Sequence, residues 1–167
     1  MGYRTSFTGS LESDKPIQDI HENYINRFAE TRRMKRKESS TVLLHDPERL
    51  AVNLPVGKDG GYFVSGKGFM GQDKDDSILD NNIPPTGQPS LWCQWIVNEN
   101  GEIVWDGGEK FYYYTEWLQY LITHFFSIWG YNLNGEIEWQ GEEADNFGKI
   151  IVQDNKITTK KGIRFYS

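Results

Sequence analysis

Gly135-Glu136-Ile137-Glu138-Trp139-Gln140-Gly141-Glu142 is the stretch that decides the fold. Ile137 and Trp139 alternate with Glu136, Glu138 and Gln140, and a period of two puts one set on each side of a half-buried strand. The chain that follows repeats the device. Lys149 to Gln153, a turn at Asp154-Asn155 and Lys156 to Thr159 extend the pattern, and an antiparallel meander is expected. Near the other end, Tyr3, Thr5, Phe7 and Leu11 alternate with Arg4, Ser6 and Thr8, which predicts a first strand over 3–11.

Between these strands the period changes. Ser13-Asp14-Lys15-Pro16 supplies a cap and a proline, and Ile17, Ile20, Tyr24, Ile25 and Phe28 recur at helical spacing, so a helix is expected from about Pro16 to Arg33. Leu91 to Val97 is apolar on both faces, as in a central, doubly covered strand. Asn98-Glu99-Asn100-Gly101 then turns the chain into Glu102 to Asp106. Lys110 to Trp129 places Tyr114, Leu118, Leu121, Ile122, Phe125 and Trp129 on one helical face, ending at Gly130. Glu116, Gln119 and His124 fall inside this aromatic segment, which reads as a core helix and not a membrane span. The fold expected is α+β: an antiparallel sheet with two helices on one face, in the manner of a split βαβ sandwich. The 167 residues suit one domain, 1–167, with a loop-rich insertion at about 34–90 where Gly, Pro, Asp, Asn and Ser are frequent.

The deciding motif has an echo. Gly101-Glu102-Ile103-Val104-Trp105-Asp106-Gly107-Gly108-Glu109 repeats the glycine, isoleucine and tryptophan positions of 135–143. Two copies are too few for a solenoid, and two core strands opened by glycine turns explain them.

Composition narrows the function. The net charge of −6 disfavours nonspecific attachment to nucleic acid or anionic membrane, since both need positive fields. Cys93 is the only cysteine, which rules out an internal disulfide or a cysteine metal cluster and suits a reducing, cytoplasmic setting. The first residues lack an apolar run of signal-peptide length, so no secretory leader is expected. Phosphate-loop, dinucleotide, nucleophile-elbow and zincin motifs are all absent from the sequence, and no cofactor is expected.

The strings Met1-Gly2-Tyr3-Arg4-Thr5, Gln88-Pro89-Ser90-Leu91-Trp92-Cys93-Gln94-Trp95, Trp105-Asp106-Gly107-Gly108-Glu109-Lys110-Phe111-Tyr112 and Gly135 to Glu142 carry a resemblance. The chain resembles, over most of its length, a family of small uncharacterised proteins of bacteria and their phages. That resemblance implies a cytoplasmic setting and brings no activity with it.

Four groups of residues are candidates for chemistry. Five of the 18 basic residues, Arg32, Arg33, Lys35, Arg36 and Lys37, fall in one short run without an acid. They complement a helix C-terminus, and their density also suits an anion site or an acidic partner. Asp106 and Glu109, beside Gly107-Gly108, stand where a strand meets a helix, placed to act as acid and base or else to cap the helix. Asp73, Asp75 and Asp76 gather oxygen ligands suited to a hard cation, but Ile78 stands where a calcium loop needs glycine, and no metal is expected. Trp92 and Trp95 offer rings on which a base could stack.

Together these features predict a non-enzymatic interaction protein, such as a phage-associated accessory or anti-defence factor that binds a host protein or a nucleotide. An enzyme acting on a phosphate-containing substrate and an acidic mimic of nucleic acid are the alternatives.

Overall fold

The computed structural model describes residues 3–39, 44, 46–64 and 76–163. The fold is α+β, as the periodicities require. Two compact units form: Met1–Ile17 with Gln94–Ser167, and Gln18–Cys93.

The first unit is a six-stranded antiparallel sheet. Its strands are β1 (Thr5–Ser13), β4 (Trp95–Val97), β5 (Ile103–Trp105), β6 (Leu133–Gly141), β7 (Phe147–Gln153) and β8 (Lys156–Lys161), in the order β4-β5-β1-β6-β7-β8. The two echoing segments are β5 and β6, which flank β1 on either side. Ile103 and Ile137 are fully buried, with Leu11 opposite Ile103 and Gly9 opposite Ile137. Gly9, at φ 105°, lies so close to the Glu136 carbonyl that a Cβ there would collide with it, so this pairing requires glycine.

Alternation along each strand sorts the sheet into two faces. Phe7, Leu11, Ile137, Ile150 and Val152 are buried on one of them. The helix α3 (Tyr114–Leu121) covers that face with Trp117, Leu118 and Leu121. The Phe7 ring meets Trp95, Trp105, Phe111 and Tyr114 edge-on, with centroids 5.3, 5.4, 5.8 and 4.9 Å away. Such pairs contribute about 0.5–1.5 kcal/mol each beyond burial. The meander closes through Asp154 and Asn155 at φ 48° and 67°, the left-handed pair of a two-residue hairpin turn. Asn155 fixes it by accepting from the Leu133 N–H (2.7 Å) and donating to the Tyr131 carbonyl (2.8 Å).

Two expectations for this unit need correction. The segment 91–97 is not a central strand: only Trp95–Val97 pair, and β4 forms one edge of the sheet. Its apolar character on both sides reports burial, which loops and helices supply as well as strands. The helix expected over 110–129 starts only at Tyr114, because Lys110 and Tyr113 each sit at φ 58°, and it opens into a π-helical turn over Ile122–Phe126. The Ser127 N–H reaches back to the Ile122 carbonyl at 2.9 Å, and this widened turn lets the consecutive Phe125 and Phe126 both be buried. Gly130, at φ 86°, ends the segment as expected.

The second unit contains α1 (Asp19–Glu30), α2 (Pro47–Ala51) and a two-stranded pairing of β2 (Lys35–Arg36) with β3 (Ile78–Asp80). The first helix is shorter than predicted: it ends with Thr31, whose hydroxyl donates to the Arg27 carbonyl at 2.7 Å. Among its described residues the unit has little regular structure, and buried arginines tie its backbone together. Arg33, 1% exposed, donates to the Phe63 carbonyl (2.8 Å), the Gly61 carbonyl (3.1 Å) and Gln88 Oε1 (3.1 Å), with its guanidinium 3.9 Å from the Phe28 ring centre. Arg36 donates to Ser77 Oγ at 2.7 Å and lies 4.0 Å over the Phe63 ring. Asp46 caps α2 and also accepts from the Val64 N–H at 3.1 Å. These bonds take the place of a strand ladder, satisfying carbonyls that a loop would otherwise leave to water.

Candidate functional site

The cationic run does not form the surface cluster expected of an anion site. The helix stops before it, and the extended chain alternates: Arg33 and Arg36 turn inward while Arg32 and Lys35 remain half-exposed. Arg32 donates to the Asn81 carbonyl (2.9 Å) and to Asn82 Oδ1 (3.3 Å), and Lys35 lies 3.9 Å from the Asp59 carboxylate. The Asp59 carboxyl is held below the usual carboxylate range, chiefly by the hydrogen bond from the Thr86 hydroxyl.

At the strand-to-helix junction each acid has a partner of its own. Asp106 Oδ1 accepts from the Gly108 N–H at 2.7 Å, closing a turn, and Glu109 is ion-paired with Arg4 at the surface. Because α3 begins at Tyr114, Asp106 is not its cap and Glu109 is not in its first turn. Protein packed against one side of Asp106 raises its pKa, while the Gly108 N–H opposes that rise and the other side stays in solvent. Gln94 ties the junction to β4, donating to the Glu109 carbonyl (2.9 Å) and accepting from Trp105 Nε1 (3.2 Å).

Trp95 offers no stacking surface. It is fully buried, and its Nε1 donates to the Tyr114 carbonyl at 2.8 Å. Trp92 is half-exposed. Asp73 and Asp75 lie outside the described residues, and Asp76 is exposed. Among the described residues, no group of three or more His, Cys, Asp and Glu side chains is arranged to hold a metal ion. Also among them, no helix is long and apolar enough to cross a membrane. Cys93 is buried.

A different site emerges on the sheet face opposite α3. Here β1, β6, β7 and β8 border a hollow of about 460 Å³ lined by Ser6, Thr8, Glu138, Gln140, Phe147, Lys149 and Lys160, together with Trp139, Gly148, Lys161 and Gly162 of the adjoining positions. The strand registers explain its composition. Thr8 pairs with Glu138, Glu138 with Lys149, and Lys149 with Lys160, so one row across four strands runs hydroxyl, carboxylate, ammonium, ammonium. The next row runs Ser6, Gln140, Phe147 and then Gly162, whose N–H donates to the Phe147 carbonyl at 2.8 Å. Gly162 leaves room for the Phe147 ring, which a side chain at 162 would meet unless the ring moved.

Neighbouring contacts shape the walls. Gln140 Nε2 donates to the carbonyls of Gly141, Glu143 and Asn146 at 3.0–3.3 Å, holding the β6–β7 turn. Lys149 reaches diagonally to Glu136 at 3.5 Å. Among the described residues, Glu138 and Lys160 form no ion pair with each other or with any third group. Chemically, the hollow offers cations for an anion, a carboxylate and hydroxyls for hydrogen-bond donors, and one aromatic wall.

These residues escaped the sequence reading. The alternation of 136–140 marks an outward polar face, yet Glu138, Lys149 and Lys160 become neighbours only through register, and the spacing between them carries no motif. No protein-family model matches the chain, and no curated protein and no solved structure matches it either.

Proposed function

We propose that this protein is a binding module that takes a nucleotide in the hollow on the open face of its six-stranded sheet. The observation that supports the reading is the Thr8–Glu138–Lys149–Lys160 row beside the ring of Phe147. Lysines at one end suit a phosphate. The carboxylate and hydroxyls at the other suit the donors of a sugar or base, and an aromatic wall suits a planar ring. The volume lies within the range of small-ligand pockets, about 300–1,000 Å³. The described lining holds one carboxylate, hydroxyls and lysines and neither histidine nor cysteine, a set suited to holding a ligand by charge and hydrogen bonds. The cytoplasm, where nucleotides are abundant, is the setting proposed.

The test is calorimetric titration with ATP, ADP, AMP, adenosine and inorganic phosphate. Affinity is expected to rise with phosphate number and to fall about tenfold, or ~1.4 kcal/mol, in each of Lys149→Gln and Lys160→Gln. Equal binding by the variants, or no binding of any of these compounds, would refute the assignment.

A further inference from the structure

β8 is an edge strand, and its exposed side has the hydrogen-bonding pattern and charge of a docking strip. It closes the sheet opposite β4, and five of its six residues are exposed, Ile157 alone being half-buried. In an antiparallel ladder, successive residues point their N–H and C=O alternately toward the partner strand and away from it. The bond from the Gly162 N–H to the Phe147 carbonyl fixes the phase. Lys160, Thr158 and Lys156, counted back in steps of two, therefore face β7. Ile157, Thr159 and Lys161 direct their backbone groups outward, past the end of the sheet. Three successive outward residues offer an extended chain a ladder as long as β8 itself.

Charge selects the occupant. Lys156 and Lys160 project on the open face, Lys161 on the other, and Lys149 stands one strand inward opposite Lys160, so the strip is cationic on both sides within a chain of net charge −6. A second copy of β8 would bring three more lysines into the same two-stranded ribbon, and like charges across a ladder are destabilising. Lysine on an edge is a known guard against self-association. The same charge attracts a strand of opposite sign. The opposite edge, β4, has only three residues, with Trp95 and Val97 buried.

We infer that β8 docks an extended acidic segment of another protein by strand addition, with backbone bonds at Ile157, Thr159 and Lys161 and with carboxylates set against Lys156, Lys160 and Lys161. This goes beyond nucleotide binding: the backbone groups used lie on the outer rim of the sheet, and of the lysines used Lys160 and Lys161 also border the hollow.

Fluorescence anisotropy on the full chain tests it, with a labelled peptide of alternating Glu and Val matched in length to β8. Binding is expected, with weakening as salt rises. An otherwise identical Lys/Val peptide, and the Glu/Val peptide N-methylated along one edge, should each bind at least tenfold more weakly. Thr159→Pro removes an outward N–H while sparing the ladder to β7, and Lys156→Glu reverses one charge. Neither residue lines the hollow, so both variants should lose peptide affinity tenfold or more with ATP titration unchanged from the parent. Should the N-methylated peptide bind as well as its parent, or the Lys/Val peptide as well as the Glu/Val one, strand addition is overturned whatever the variants do. Loss of nucleotide binding in Lys149→Gln has no bearing on it.

Discussion

Replacing Arg33 by Met should unfold the second unit far more readily than its size alone would indicate. The side chain is 1% exposed and donates three hydrogen bonds, to the carbonyls of Phe63 and Gly61 and to Gln88 Oε1. Gly61 keeps a second donor, Gln88 Nε2 at 2.7 Å, whereas the Phe63 carbonyl loses its bond from Arg33. An orphaned buried carbonyl costs about 1–3 kcal/mol. Loss of the guanidinium 3.9 Å above the Phe28 ring adds about 2 kcal/mol for a desolvated contact, so the total is about 3–5 kcal/mol. Arg33→Lys should do no better, because an ammonium carries the charge into the same buried site without the planar fork that serves three acceptors. Urea denaturation of the full chain, followed by hydrogen exchange of amides over 18–93, measures both. A change below about 1 kcal/mol for Met, or full rescue by Lys, would refute the idea that this arginine holds the loops together.

Gly9→Ala should destabilise the sheet by at least about 2 kcal/mol, since a left-handed backbone at φ 105° and contact with the Glu136 carbonyl both penalise a Cβ; a thermal melt shifted by less than a degree would contradict this. Asp59 has its pKa depressed below 3.8, first by the Thr86 hydroxyl, so its contribution is present above that value and is lost as pH falls through the lower folded one. Asp59→Asn should therefore lower stability at neutral pH and flatten the acid limb of the stability profile below about pH 4, as measured by denaturation across that range. His21 and His124 have pKa values lowered by burial, so their unfolded forms take up protons first and stability should fall as pH drops below 6.5. Substituting both with Gln should reduce the slope between neutral pH and about pH 5.5, and an unchanged slope would show that neither histidine contributes.

The sheet was legible because its information is local. Alternation over 133–141 and 147–161, the Asp154-Asn155 turn and the glycine-led echo each report on neighbours a few residues apart, and the antiparallel α+β class follows from them. The second unit was not legible for the opposite reason. Arg33 meets Phe63 and Gly61 across about thirty residues, and Arg36 meets Ser77 across about forty, so a run that looks like a solvated or anion-binding patch works as internal bracing. Helix length was overread because apolar spacing continues through segments whose backbone is not α-helical, as at Lys110–Tyr113 and the π-helical turn. The candidate site was half visible: Glu138 and Gln140 were placed on an outward face, but their meeting with Lys149, Lys160 and Phe147 depends on registers that spacing along the chain does not encode.

Amide chemical-shift mapping during ATP titration would show whether nucleotide sits in the hollow on the open face of the sheet. Saturable shifts are expected at Ser6, Thr8, Glu138, Gln140, Phe147, Lys149 and Lys160, abolished in Lys149→Gln/Lys160→Gln. Shifts centred instead on the 106–113 junction or on Arg32 and Lys35, or none at millimolar nucleotide, would contradict that placement.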